Sequence, residues 1–195
     1  VNLTLKIRLP ADRTKTGTLT LVDPLTGLAL YGPVPVLGRA ARDTAKAKGN
    51  PTGSSLLKYG DTPTGTYRIV NILANGDGTT RPVEKYGQSG SIVLDPQKGD
   101  AQKAKENGRT GLLIHAGRHA FSSAVGPQML KPTNGCVRML DWQLAQLIDI
   151  IRTQTLAFPG NVVVEVGEPG GPMGNIDESL LDVDPPPVGG AVLLP

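Results

Sequence analysis

Cys136 is the only cysteine of the 195-residue chain, and both histidines, His115 and His119, lie just upstream of it. A sulfur nucleophile and an imidazole base are the minimum parts of thiol acyl transfer. Every copy of both falls within residues 114–139, which read I-H-A-G-R-H-A-F-S-S-A-V-G-P-Q-M-L-K-P-T-N-G-C-V-R-M. An unperturbed thiol has a pKa of about 8.5, so a nearby imidazole has to help it ionise. Gly135, directly before the cysteine, lets the backbone approach a substrate closely. Taken alone, a single cysteine is more often a small buried apolar residue. A zinc reading of His115, His119 and Cys136 fares worse: His-x₃-His favours zinc on one helix face, but His115 ends an apolar strand and no fourth ligand or glutamate base stands beside them. No metal is expected.

The elements that must position these residues are legible in the hydropathy pattern. Residues 2–9 alternate apolar and polar, as in a half-buried strand. Residues 18–22 and 28–31 read as strands around the turn D-P-L-T-G, and 34–37 continue the pattern at a sheet edge, where Pro33 and Pro35 are tolerated. Residues 39–48 form a short helix or a basic loop. G-D-T-P-T-G-T-Y-R-I (60–69) is a turn leading into a strand over 66–73, and 75–82 form a polar loop. A strand at 91–94, a short helix at 100–107 and a strand at 111–115 follow, the last delivering His115 at its C-terminal end. After the cysteine, Leu140, Leu144, Leu147, Ile148 and Ile151 mark one buried helix face, with Asp141 as N-cap and Trp142 packing. F-P-G (158–160) stops that helix, and 161–166 form a last strand. The fold class is therefore α+β and β-rich, with one main helix after the cysteine.

Composition agrees. Gly (25) and Pro (17) together exceed ordinary usage and favour strands and turns over a helical bundle. The length suits one domain over 1–167, with residues 168–195 as an acidic, Pro/Gly-rich tail. The tail holds Glu168, Asp177, Glu178, Asp182 and Asp184 and no basic residue, leaving 12 acidic against all 20 basic residues in the body. A basic body suits an anionic polymer. No nucleic-acid motif is present and aromatics are few, so no nucleic acid is expected. The acidic tail is able to fold over the basic body and occlude a cleft. No apolar run is long enough to span a membrane. No leader is visible, and a start at Val1 rather than Met leaves room for one removed upstream. Oligomeric state is not legible.

Three separated motifs carry a family resemblance. G-D-T-P-T-G-T-Y, then N-G-R-T-G-L-L-I-H-A-G, then T-N-G-C-V-R-M resembles the YkuD-type L,D-transpeptidases of bacterial cell walls. Their signature is a histidine, 14 to 17 residues, then Ser or Thr, His, Gly and Cys. Here His115 is followed by 17 residues and then Thr133, Asn134, Gly135 and Cys136. The opening L-T-L-V-D-P-L-T-G-L-A-L-Y-G-P-V-P-V-L-G (19–38) is similar to the family's first hairpin. The one departure is Asn134, where the family usually has histidine; asparagine hydrogen-bonds but carries no proton.

The resemblance implies a YkuD-like mixed β-sandwich and a cysteine enzyme of the cell envelope, periplasmic or secreted, that needs no cofactor and is a target of carbapenems. Cys136 would attack the carbonyl of the third residue of a peptidoglycan tetrapeptide stem, release D-alanine, and pass the thioester to a second stem in a 3→3 cross-link. Water as acceptor would give an L,D-carboxypeptidase, and a free D-amino acid would give exchange. His115 is the expected base, oriented by the Ala116 carbonyl, and the Gly135 and Cys136 amides are the oxyanion donors. Arg138 either holds a substrate carboxylate or braces the loop. Thr133 either hydrogen-bonds within the site or caps a turn. Tyr86 lies in a loop able to cover the cleft, and Pro63, Thr64 and Gly65 shape one wall. A secreted antibacterial effector and a non-catalytic wall-binding module, the latter favoured by Asn134, stay open as other roles.

Overall fold

The computed structural model describes residues 2–121, 128–156 and 159–170. Ten strands are described: β1 (Leu3–Arg8), β2 (Gly17–Val22), β3 (Ala29–Val36), β4 (Gly65–Leu73), β5 (Ser91–Lys98), β6 (Leu113–His115), β7 (His119–Phe121), β8 (Gln128–Leu130), β9 (Val137–Arg138) and β10 (Val162–Gly167). The helices are α1 (Arg42–Ala47), α2 (Val83–Tyr86), α3 (Asp100–Glu106) and α4 (Asp141–Gln154), with a 3₁₀ turn at Pro159–Asn161.

Eight strands form one mixed sheet in the order β3-β2-β1-β10-β4-β5-β6-β9, and β7 and β8 form a separate hairpin. Alternation makes β1 a strand, and its position makes it central: Leu5 pairs with Leu21 on the antiparallel side and with Val164 on the parallel side. V-V-V-E-V of β10 is buried along both faces, as expected of an interior strand with parallel pairing. The sheet curls until its ends meet. Leu37, just beyond β3, exchanges both backbone hydrogen bonds with Arg138 of β9, each at 2.9 Å. That single bridge joins the two ends of the sheet order. The β-rich α+β class is as expected, and the sheet is nearly closed.

The core fills the sheet's concave side. Leu3, Leu5, Ile7, Leu19, Ile69, Ile92, Ile114, Val137 and Val164 are fully buried and join Leu144, Leu147, Ile148 and Ile151 of α4. The apolar stripe of α4 is thus its packed face.

Several local expectations change. The strands at 28–31 and 34–37 are one continuous β3, which lies at the end of the sheet order. Asp141 is not the N-cap; Leu140 is, without a side-chain cap. The Asp141 carboxylate instead accepts the Ser89 amide at 3.1 Å. Trp142 does not pack inside but is 57% exposed. Helix α2 carries Tyr86, where a loop was expected. The tail from 171 on, with its proposed docking, lies outside the described residues, as does Phe158.

Candidate active site

Parallel pairing of β6 with β9 builds the site. Ile114 pairs with Val137 and His115 with Arg138. Successive side chains on a strand point to opposite faces. Ile114 and Val137 therefore turn inward, where both are fully buried. His115 and Arg138 turn to the other face, and so does Cys136, one step before Val137. Cys136, His115 and Arg138 share a face because two short strands lie in this register.

The imidazole is held firmly. His115 is 3% exposed, and its Nδ1 lies 2.9 Å from the Ala116 carbonyl oxygen. A carbonyl only accepts, so Nδ1 carries the proton and Nε2 is left as the basic nitrogen. The Tyr86 ring leans on the imidazole, centroids 4.8 Å apart and planes 47° apart. Burial, then the Arg138 charge, pushes the His115 pKa down to about 4, and the hydrogen bond to Ala116 only partly offsets this. At neutral pH the imidazole is uncharged.

The Cys136 thiol is raised above its ordinary value by burial, against the pull of the Leu113 amide and of the Arg109, Arg138 and Lys85 charges. Its Sγ lies 3.7 Å from the Gly111 carbonyl oxygen, a donor contact suited to a protonated thiol. Burial thus favours the neutral form of both the thiol and the imidazole.

Cys136 stands between two open pockets. One, of about 400 Å³, is lined by Lys85, Arg118 and Arg138 together with Tyr86, His115 and Thr133. Among the described residues no acidic side chain lines it. The other, of about 760 Å³, runs along Lys58, Tyr59, Arg109 and the 110–113 backbone. Tyr86, Asn134 and Cys136 line both.

Arg138 is 2% exposed, and its Nη1 donates to the carbonyls of Ala116 at 2.9 Å, Gly117, and Arg118 at 3.5 Å. That nitrogen braces the turn after His115, while the Arg138 Nε is buried with no hydrogen-bond partner among the described residues. Thr133 ties the cysteine loop: its Oγ1 accepts from the Gly135 amide at 2.9 Å and donates to the Cys136 carbonyl at 2.8 Å. Gly135 has φ +106, and a Cβ there would stand 2.0 Å from Arg109 Nη2 and 2.1 Å from the Gly60 carbonyl. Glycine is required both by conformation and by space.

The structure brings Cys136, His115, Ala116, Gly135, Thr133, Arg138, Asn134 and Tyr86 into one site. Asn134 is exposed at the mouth. His119 lies on β7, is exposed and lines neither pocket. Of 63–65, Pro63 accepts the Tyr67 hydroxyl at 2.7 Å, and it is Thr62, one residue earlier, that reaches the cysteine loop. Arg109, Lys85 and Arg118 were not anticipated. Lys85 and Arg118 are basic residues in a basic chain, with no spacing to set them apart; Arg109 lies in the N-G-R-T-G motif, but only the contacts of the fold single out its side chain.

A comparison with curated protein sequences found no match. Among solved structures, the helical cell shape determining protein Pgp2 from Campylobacter jejuni is similar, with a TM-score of 0.50 and 15% sequence identity. The match covers 92% of this chain and 52% of that one, so the chain spans about half the length of this structural relative. At that identity the likeness speaks for the fold alone. The family model described as the L,D-transpeptidase catalytic domain (YkuD) matches residues 31–166. With most of its length inside that match, including the β6 and β9 strands beside Cys136 and His115, the chain belongs to the YkuD family of L,D-transpeptidase catalytic domains.

Proposed function

We propose that this domain is a peptidoglycan L,D-transpeptidase working through a Cys136 thioester. The observation that carries the reading is the shared face of β6 and β9, with a neutral Nε2-basic His115 and Cys136 lining one pocket. As Sγ attacks the carbonyl of the third stem residue, its proton passes to His115 Nε2. The carbonyl oxygen becomes an oxyanion facing the Cys136 amide; the Gly135 amide, also expected as a donor, is instead taken up by Thr133 Oγ1 at 2.9 Å. The tetrahedral intermediate collapses, the C–N bond to D-alanine breaks, and the imidazolium gives its proton to the departing amine. A side-chain amine of a second stem then attacks the thioester, forming the 3→3 link and restoring the thiol. Because both partners rest uncharged, ionisation belongs to the attack itself and waits for substrate.

The two pockets meeting at Cys136 suit an acyl donor and an acceptor reaching one thiol. The cation-lined pocket suits an anionic stem peptide, with Lys85 and Arg118 free of the bracing that occupies Arg138. Arg138 and Thr133 are assigned to holding the loops, and Tyr86 to holding the base. No cofactor enters this chemistry. The setting is the cell envelope or periplasm, where the stems are. Acceptor choice depends on how the loops exclude water, so carboxypeptidase or exchange activity, including use as an antibacterial effector, shares the same first half-reaction.

Incubation with disaccharide-tetrapeptide, followed by mass spectrometry, tests the reading. A dimer lacking one D-alanine is the expected product; a tripeptide monomer would mean a carboxypeptidase. Asn134 in the family histidine's place favours a second reading, a non-catalytic wall-binding module. It predicts muropeptide binding unchanged in Cys136→Ala, with no product from either protein.

A further inference from the structure

The peptide bond entering Cys136 is held from a side that the chemistry does not touch. The Gly135 carbonyl accepts two hydrogen bonds, from Thr62 Oγ1 at 2.9 Å and from Arg109 Nη2 at 3.3 Å. Both donors are buried, Thr62 at 1% and Arg109 at 2% exposure. They belong to one block. Arg109 also donates to the carbonyls of Ser55, of Gly60 at 2.8 Å and of Asp61 at 2.8 Å. Asp61 in turn accepts the Ala40 amide at 2.8 Å and pairs with Arg42 at 2.7 Å.

A trans peptide is planar, and its N–H points opposite to its C=O. Turning the Gly135 carbonyl toward Thr62 and Arg109 therefore aims the Cys136 N–H away from them. Glycine leaves its own dihedrals little restricted, so this peptide is able to rotate unless something outside it chooses the orientation. Thr133 fixes the neighbouring Gly135 amide and Cys136 carbonyl, but not this plane. The two buried donors do.

We propose that Thr62 and Arg109 are positioning residues, which clamp the Gly135 carbonyl so that the Cys136 N–H meets the acyl oxygen as it becomes an oxyanion. This rests on Cys136 being an acyl-transfer nucleophile. It assigns a function to a buried threonine and to an arginine at the wall of the second pocket, both acting through a backbone carbonyl. The clamp matters only to reactions that develop an oxyanion. Acylation by p-nitrophenyl acetate does: Sγ adds to the ester carbonyl, p-nitrophenolate leaves, and an acetyl thioester remains. Alkylation by iodoacetamide does not: Sγ displaces iodide at a saturated carbon.

The test compares both reactions of the single thiol in the full chain, for the unaltered protein, Thr62→Val, Thr62→Ser and Arg109→Lys. Thr62→Val should slow acylation about tenfold, short of the roughly 10²–10³ lost with an oxyanion donor itself, and keep alkylation within about twofold. Thr62→Ser should restore acylation. Arg109→Lys keeps the charge near the thiol but not the fork, and should show the same selective loss; if it does not fold, the Thr62 pair carries the test. Equal slowing of both reactions in Thr62→Val, or acylation left unchanged, would overturn the clamp. Failure of the stem-peptide reading would show elsewhere, as absent turnover of stems while ester acylation still depends on Thr62.

Discussion

His115 and Arg138 share one acceptor: the Ala116 carbonyl oxygen takes a hydrogen bond from the imidazole Nδ1 and another from the guanidinium Nη1, each at 2.9 Å. The arginine thereby fixes the carbonyl that fixes the tautomer of His115, and its charge adds to the larger effect of burial in keeping that imidazole unprotonated. Neither residue needs to touch substrate for the pair to matter.

Removing the arginine should separate these effects. Arg138→Met is expected to cost about 2–3 kcal/mol of stability, since buried carbonyls lose a charged donor. It should also raise the His115 pKa from about 4 toward the ordinary 6.5. Imidazole proton shifts followed against pH would read the second effect, and denaturant titration the first. An unmoved His115 titration would contradict the shared-acceptor account.

Stability should depend on pH through His115. Its folded value of about 4 lies below the ordinary 6.5, so the unfolded chain binds the proton first as pH falls. The fold is unaffected above about 6.5, weakens as pH falls through that value, and weakens no further from this source below about 4. Between about pH 7.5 and about pH 5 the loss should be about 2 kcal/mol. His115→Asn, measured by denaturant unfolding at the same two pH values, should lack that part of the slope. Equal slopes in both proteins would refute the depressed histidine.

Gly135→Ala should be among the most damaging single-methyl additions in the chain. The new Cβ would collide with Arg109 and with the Gly60 carbonyl, at a φ that alanine rarely adopts. A cost of about 3 kcal/mol or more is expected, from overpacking and backbone strain together. Thermal unfolding would check it; a shift within error of zero would show that the 55–62 loop yields more easily than its hydrogen bonds suggest.

Tyr86 supports the base through its ring rather than its hydroxyl. Tyr86→Phe should retain turnover, whereas Tyr86→Ala should lose about tenfold, in line with roughly 0.5–1.5 kcal/mol for a tilted aromatic pair. Steady-state kinetics of both variants would decide, and a Phe variant as poor as the Ala variant would reassign the hydroxyl to substrate.

Much of this site was legible from residue types alone. A lone cysteine after a glycine, and a histidine closing an apolar strand, are local signals, and the spacing T-N-G-C after the histidine made them specific. The stripe of α4 was equally plain, because periodicity reports which face is buried. What sequence left open is what depends on tertiary partners. Asp141 carries a capping residue's side chain, yet Ser89 claims it from across the fold. Arg138 was open between substrate and loop, because the three carbonyls that its Nη1 meets come together only in the fold. Thr62 and Arg109 lie in the G-D-T-P-T-G and N-G-R-T-G motifs, but nothing local shows their role: their shared partner is a backbone oxygen 73 and 26 residues away in the chain.

The central claim is a thioester at Cys136, and the most direct measurement is the intact mass of the protein quenched during reaction with disaccharide-tetrapeptide, with Cys136→Ala alongside. The account predicts a transient adduct equal to the stem less D-alanine, mapped to the peptide bearing Cys136 and absent from the variant. D-alanine release that persists in Cys136→Ala, or an adduct on any other residue, would contradict it.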